Sequence, residues 1–367
     1  MFYHLIPPLS EYSIIFNVFR YVSFRAVAAF ITALLFSFLL GPRIIGVLKS
    51  IQAVETIDTD TPERHQAKKG TPTMGGLIIL AGLLLSSLLW NNLTNSYVLY
   101  MYLTALWLGG IGFLDDYLKN LRQFKKGLVA KYKLFGQISL SLIIALILYL
   151  GTPDKATVTS LCVPFFKHFF IHLGILFIPF VVLYVTWFSN AVNLTDGLDG
   201  LAGGTIAIAG LAMGIIAYFK GHATISSYLQ LEYIAGAGEL TIFTAALIGT
   251  VLGFLWYNTR PAEIFMGDTG SLSLGGLLAM EAVLLREDIF LLIVGGIFVT
   301  EACSSLMQRY WFKYTRLRFG EGRRIFLCAP LHHHFELKGM AESKIVVRFW
   351  IVAALLAAVG MATIKLR

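Results

Sequence analysis

The residues best suited to chemistry in this chain are polar side chains standing at the ends of long apolar runs. Asp115 and Asp116 are adjacent, with Lys119 close behind. Asn190, Asn193, Asp196 and Asp199 share one short stretch with Gly197, Leu198 and Gly200. Asn258 precedes a second stretch holding Phe265, Gly267, Asp268, Thr269 and Gly270, and His332, His333 and His334 run consecutively before Phe335 and Glu336. Ionisable groups at membrane depth are costly and mark functional sites by default. Gathered in one place, the aspartates would repel one another unless cations neutralised them. Oxygen donors without cysteine favour Mg²⁺ or Mn²⁺, and Mg²⁺ completes its shell with water and substrate phosphate. Lys68, Lys119, Lys131, Lys133 and the histidines would then meet phosphate charge, while the glycines let backbone approach a ligand. Such a set suits phosphoryl transfer, where positioning and charge neutralisation do most of the work.

Each piece taken alone has a plainer reading. An Asp-Asp pair at a helix end is often a solvated cap, the Asn/Asp/Gly stretch is a turn composition, and Gly267-Asp268-Thr269-Gly270 is a helix-start signal. Zinc is disfavoured, because consecutive histidines rarely chelate one ion and cysteine partners at zinc spacing are absent. Cys162, Cys303 and Cys328 read as apolar fillers. On a helix, Asp115 and Asp116 point about 100° apart. Both cannot bind one ion from a rigid helix, but one can ligate while the other faces a second ligand or a lysine. Glu301, inside an apolar run, has no assigned role at this stage.

The elements that must position these residues are membrane spans. The chain of 367 residues is 57% hydrophobic and 14% charged, with mean hydropathy +0.74, against about 25% charged for a soluble domain. Lipid is the solvent that such a surface fits. The net charge of +8 does not indicate nucleic acid, because the bases fall in loops between apolar runs. A bilayer core needs about 20 apolar residues per helix. Runs near 22–45, 73–90, 97–114, 134–151, 170–189, 200–219, 240–257, 270–285, 289–307 and 345–364 predict ten spans in one all-α integral membrane domain over residues 1–367. The connections at 46–72, 115–133 and 308–344 carry most of the Lys and Arg, which places them in the cytoplasm and both termini outside, in the periplasm. By span parity all four polar stretches fall on that cytoplasmic side, an agreement independent of the motifs themselves.

At these motifs the sequence resembles the polyprenyl-phosphate N-acetylhexosamine-1-phosphate transferases. The stretches from Lys68 to Gly76 and from Pro330 to Glu336 narrow the resemblance to the phospho-N-acetylmuramoyl-pentapeptide-transferase (MraY) family. The match runs from about residue 40 to the C-terminus. The resemblance implies transfer of phospho-N-acetylmuramoyl-pentapeptide from UDP-N-acetylmuramoyl-pentapeptide to undecaprenyl phosphate, giving lipid I and UMP, with Mg²⁺. It is the first membrane step of peptidoglycan synthesis. It also implies ten helices with both termini outside, a homodimer, and the bacterial inner membrane with the active site toward the cytoplasm. Carried over by motif position, Asp268 is the Mg²⁺ ligand and Asp115 and Asp116 lie beside the lipid phosphate, with Asp196 and His332 also essential. Gly197, Leu198, Asp199, Asn258 and Phe265 form a uridine pocket, Phe265 stacking on uracil. Lys68, Lys119 and Lys131 hold phosphates, and Asn190, Asn193, Gln308, His333 and His334 are further substrate contacts.

A phosphate monoester is largely dianionic at pH 7, so direct in-line attack by the lipid phosphate is expected, with Asp115 positioning or deprotonating it. The rival path passes through an aspartyl-phosphate. A sister enzyme acting on UDP-N-acetylglucosamine is the nearest alternative function. A secondary transporter with a midplane site is more distant, because the acids cluster at loop ends on one side.

Overall fold

In the computed structural model the described residues are 1–53, 70–122, 124, 127–152, 154–166 and 169–366, so Lys68 lies outside them. Each predicted apolar run contains a helix. In chain order these are α1 (Val22–Ser50), α2 (Gly76–Trp90), α3 (Ser96–Asp116), α4 (Ala130–Gly151), α5 (Phe177–Thr195), α6 (Leu201–Gly221), α7 (Gly238–Asn258) and α8 (Gly267–Leu285). They are followed by α9 (Asp288–Val294), α10 (Gly296–Phe319), the short α11 (Leu331–Leu337) and α12 (Glu342–Ala362). A small antiparallel hairpin, Ser160–Cys162 with Phe170–His172, lies between α4 and α5.

Among the described residues eight helices are long and apolar enough to cross a bilayer, or nine if α9 and α10 form one span, against the ten expected. Two runs account for the difference. The run at 73–90 gives only the 15-residue α2, about 22 Å long against a hydrocarbon core of about 30 Å. Its first residues pair with another loop instead of entering the helix. Gly75 and Gly76 donate to the Phe265 and Met266 carbonyls, both at 2.8 Å, and the Pro72 carbonyl accepts from Phe265 at 2.9 Å. The run at 289–307 breaks at Gly295, where α9 and α10 meet at 83°. Helix α10 then continues to Phe319, so Arg309, Lys313, Arg316 and Arg318, expected in a loop, lie on it. Lys and Arg are good helix formers, and the helix stops at Gly320, whose φ of +78° suits a left-handed C-cap.

The site is positioned by close packing around α8, which is buried on all sides from Thr269 to Leu285. Small residues permit the approach, as expected between membrane helices. A Cβ at Gly112 of α3 would sit 2.2 Å from the Asp268 carbonyl oxygen, and one at Gly76 of α2 would sit 2.1 Å from the Gly270 nitrogen. Helix α1 packs on α7 through Ala33, Ser37 and Gly41, with a bond between the Ser37 and Thr250 hydroxyls at 2.9 Å.

The opposite end of the bundle is pinned by buried ion pairs. Arg25 at the start of α1 meets Glu239 at the start of α7 at 2.6 Å. The same carboxylate accepts from the Asn92 N–H at 2.8 Å, beyond the end of α2. Lys220 pairs with Glu287 at 2.9 Å and donates to the Leu285 carbonyl. Removing one partner strands the other charge, at a cost of roughly 3–5 kcal/mol. Arg25→Ala should therefore lower the thermal unfolding midpoint of the purified protein markedly, whereas a surface change such as Lys365→Ala should not.

Candidate active site

At the other end, the C-terminus of α3 and the N-terminus of α8 bring Asp115, Asp116 and Asp268 together, each offering a carboxylate oxygen within 4.8 Å of the others. The adjacent aspartates diverge as helix geometry requires. Asp116 turns to the N-terminus of α8 and accepts from the Asp268 and Thr269 N–H groups, at 3.1 and 2.9 Å, and from the Thr269 hydroxyl at 2.6 Å. It thus satisfies amide donors that a helix start leaves unpaired. Gly267, at φ +71°, makes this possible, since a Cβ there would lie 2.7 Å from Asp116 Oδ2. Asp115 turns to the lysines, with Lys119 Nζ at 2.5 Å and Lys133 Nζ at 3.1 Å. Its other oxygen accepts from the Leu128 N–H at 2.7 Å.

Asp268 joins the two halves. It meets Lys119 at 3.4 Å and also Lys133, and Asn193 of α5 donates to it at 2.7 Å and to Ser271 at 2.8 Å. Three carboxylates face two ammonium groups, which leaves one negative charge. The donors are all oxygen, as hard cations prefer. Two oxygens on one octahedral Mg²⁺ stand at most about 4.2 Å apart, so these carboxylates, whose oxygens lie within 4.8 Å of one another, need only a small approach to share an ion. The residues therefore fit a hard divalent ion.

Against the turn that follows α5, His332 of α11 is fully buried. Glu301 of α10, also fully buried, accepts from its backbone N–H at 3.2 Å and its ring Nδ1 at 3.0 Å. A carboxylate only accepts, so Nδ1 carries the proton and Nε2 is left as the outward atom. Among the described residues Nε2 has no hydrogen-bond partner, and it lies against Gly197, where a Cβ would be 2.2 Å away.

Comparison with known proteins identifies the family. A family model described as glycosyl transferase family 4 matches residues 98–286, and the phospho-N-acetylmuramoyl-pentapeptide-transferase signature 1 matches residues 68–80. Curated phospho-N-acetylmuramoyl-pentapeptide-transferases are similar along their entire length. The chain is 52% identical to that of Granulibacter bethesdensis, 50% to that of Pelobacter propionicus and 48% to that of Thermodesulfovibrio yellowstonii, with 100% of both chains covered each time. The chain belongs to the phospho-N-acetylmuramoyl-pentapeptide-transferase family. It is an integral membrane, all-α member of this family of sugar-phosphate transferases.

The remaining residues singled out in the transferase sequence are distributed unevenly. Lys131 is exposed with its ammonium over the Tyr132 ring, and Lys133, two residues on, reaches the carboxylates instead. Asn190 donates to Gln137 at 2.9 Å and to the Thr186 carbonyl, tying α5 to α4. Asn258 accepts from the Gly200 N–H and donates to the Ile264 carbonyl, both at 2.9 Å. It thereby fixes the turn of Gly197, Leu198 and Asp199 against the loop that carries Phe265. Leu198 is buried against Ile345 and Val346, Asp199 accepts from the Ala262 N–H at 3.4 Å, and Phe265 is half-buried. Asp196 is the C-cap of α5.

The three histidines of the transferase diverge. His333 bonds Glu336 at 2.8 Å. His334 Nδ1 accepts from the Leu327 N–H at 3.1 Å, and desolvation, aided by Lys338, holds this imidazole below its ordinary pKa. Gln308 accepts from the Ile325 and Phe326 N–H groups, both at 3.0 Å, so it clamps the loop leading to α11. Sequence reasoning left Glu301 unassigned, gave Thr269 no role of its own within the Gly267–Gly270 stretch, and passed over Ser271. A buried acid in an apolar run was the one signal pointing to Glu301, and nothing in the sequence linked it to the histidines.

Proposed function

We propose that the chain transfers phospho-N-acetylmuramoyl-pentapeptide from UDP-N-acetylmuramoyl-pentapeptide to undecaprenyl phosphate, producing lipid I and UMP. The observation that carries this reading is the meeting of Asp115, Asp116 and Asp268 with Lys119 and Lys133. The full-length similarity to the curated transferases supplies the substrates. Asp268 would hold Mg²⁺, with Asp115 and Asp116 beside it. When bound, the ion neutralises phosphate charge and stabilises the leaving phosphate.

In the reaction an oxygen of the lipid phosphate bonds to the sugar-linked phosphorus, and the bond from that phosphorus to the bridging oxygen breaks to release UMP. Lys119 and Lys133 hold the phosphate oxygens, and Asn193 fixes the rotamer of Asp268. Two unit charges about 4 Å apart repel by roughly 4 kcal/mol at an effective dielectric of 20, so neutralising the meeting anions is the main task of these side chains. All three carboxylates already accept bonds from donors, which favours direct attack by the lipid phosphate over an aspartyl-phosphate. Lys68 is a further phosphate contact. Asp196 and His332 act beside the reacting groups, and the 197–199 turn with Phe265 receives the uridine. The chain works as one domain and as a homodimer, in the inner membrane. The carboxylates face the cytoplasm and both termini face the opposite side.

The deciding measurement is UMP release by the purified protein from UDP-N-acetylmuramoyl-pentapeptide, with and without undecaprenyl phosphate and Mg²⁺. Release is expected only when all three are present. Turnover of UDP-N-acetylglucosamine in its place would assign the sister reaction. A phosphorylated enzyme trapped without acceptor would overturn direct attack.

A further inference from the structure

A cavity of about 280 Å³ opens between α10, α11 and α12, lined by Ile297, Thr300, Leu331, Phe335, Val352 and Leu356, with Arg348 at its edge. Its volume is near the lower end for ligand pockets. It is separate from the active site by helix geometry. Leu331 and Phe335 stand four apart and share one face of α11, whereas His332 points about 100° away, toward Glu301. No lining residue belongs to the carboxylate cluster.

We infer that this cavity binds one acyl chain of an anionic phospholipid, with its headgroup at Arg348. The α12 helix starts at Glu342, which pairs with Arg260 at 2.6 Å at the active-site end. Arg348 thus lies about 9 Å along the axis, and Leu356 about 12 Å further. A cation near the interface with an apolar slot running inward matches a phosphate headgroup and its chain. Arg348 is exposed, and its hydrogen bond among the described residues is to the Met340 sulfur at 3.6 Å, so its charge is available to an anion. Its side chain is long enough to keep the guanidinium at headgroup level while its stem follows the apolar wall. Lys344, one turn earlier and exposed, adds positive charge on the same side of α12. A bound chain would brace the helix that carries His332.

The test is native mass spectrometry of the full-length protein exchanged into mixed phosphatidylglycerol and phosphatidylcholine. Wild type should retain phosphatidylglycerol preferentially. Arg348→Gln should lower that preference about fivefold, the effect of one basic residue near a lipid surface. Val352→Trp, which fills the slot, should abolish retention with either headgroup, while thermal melting reports that both variants are folded. Equal retention of the two lipids by wild type, or undiminished retention by folded Val352→Trp, would overturn the assignment. Displacement of the retained lipid by undecaprenyl phosphate would give the cavity to the acceptor instead. A dimer that excludes lipid and is broken by Val352→Trp would give it to a second copy of the chain. Either result removes the phospholipid.

Discussion

Asp268→Asn should reduce Mg²⁺-dependent UMP release by at least about 10²–10³-fold, the effect typical of removing one group aimed at developing charge. The substitution keeps the shape of the side chain, so the loss would report on charge and donor pattern. Asp268 presently accepts from Asn193 on one oxygen and from Lys119 and Lys133 on the other. An amide must turn its NH₂ toward one of these donor sets. The cluster would also fall from one net negative charge to none, and with it much of the attraction for a divalent ion. Asp268 is only the second residue of α8, and the α8 N–H groups that bond Asp116 are untouched. The thermal midpoint should therefore move little. A folded Asp268→Asn enzyme that turns over at near wild-type rate at ordinary Mg²⁺ would remove the ion from this carboxylate.

The parts of this architecture that follow periodic rules were readable from the residues. Ten apolar runs gave ten helical regions, and alternation of spans put the polar stretches at one end because antiparallel neighbours return every second terminus to the same side. The rule of 100° per residue anticipated that Asp115 and Asp116 would serve different partners. What escaped was set by contacts between distant elements. Lys131 and Lys133 are separated by about 200° on α4, and only the rotation of that helix against α3 decides which reaches Asp115. Asn190 and Asn193 are one turn apart on α5, yet Gln137 takes the first and Asp268 the second. The shortness of α2 depends on residues 72–76 pairing with the loop at 265–266, a pairing that hydropathy does not encode. The break at Gly295 is similarly invisible to a hydropathy window, which averages across it.

Glu301→Gln should lower kcat about a hundredfold while leaving KM for the nucleotide nearly unchanged. This lies between the effect of losing an orienting partner of a ligating imidazole and that of losing the carboxylate of a serine-hydrolase triad. The glutamate holds His332 by two bonds, one to the ring and one to the backbone. Together they fix both the tautomer and the direction of Nε2. A glutamine has one oxygen and can keep only one of these bonds. Loss of an interaction that acts only in the transition state appears in kcat and not in binding. Gly197→Ala offers an independent approach to the same atom, because its Cβ would press on Nε2 from the opposite side. If Gly197 serves chiefly to leave room for the imidazole, both variants should share the kcat defect. If the 197–199 turn instead meets the uridine directly, Gly197→Ala should raise KM. A folded Glu301→Gln protein with normal kcat would show that the orientation of His332 is not limiting and that the buried pair serves only to attach α11 to α10.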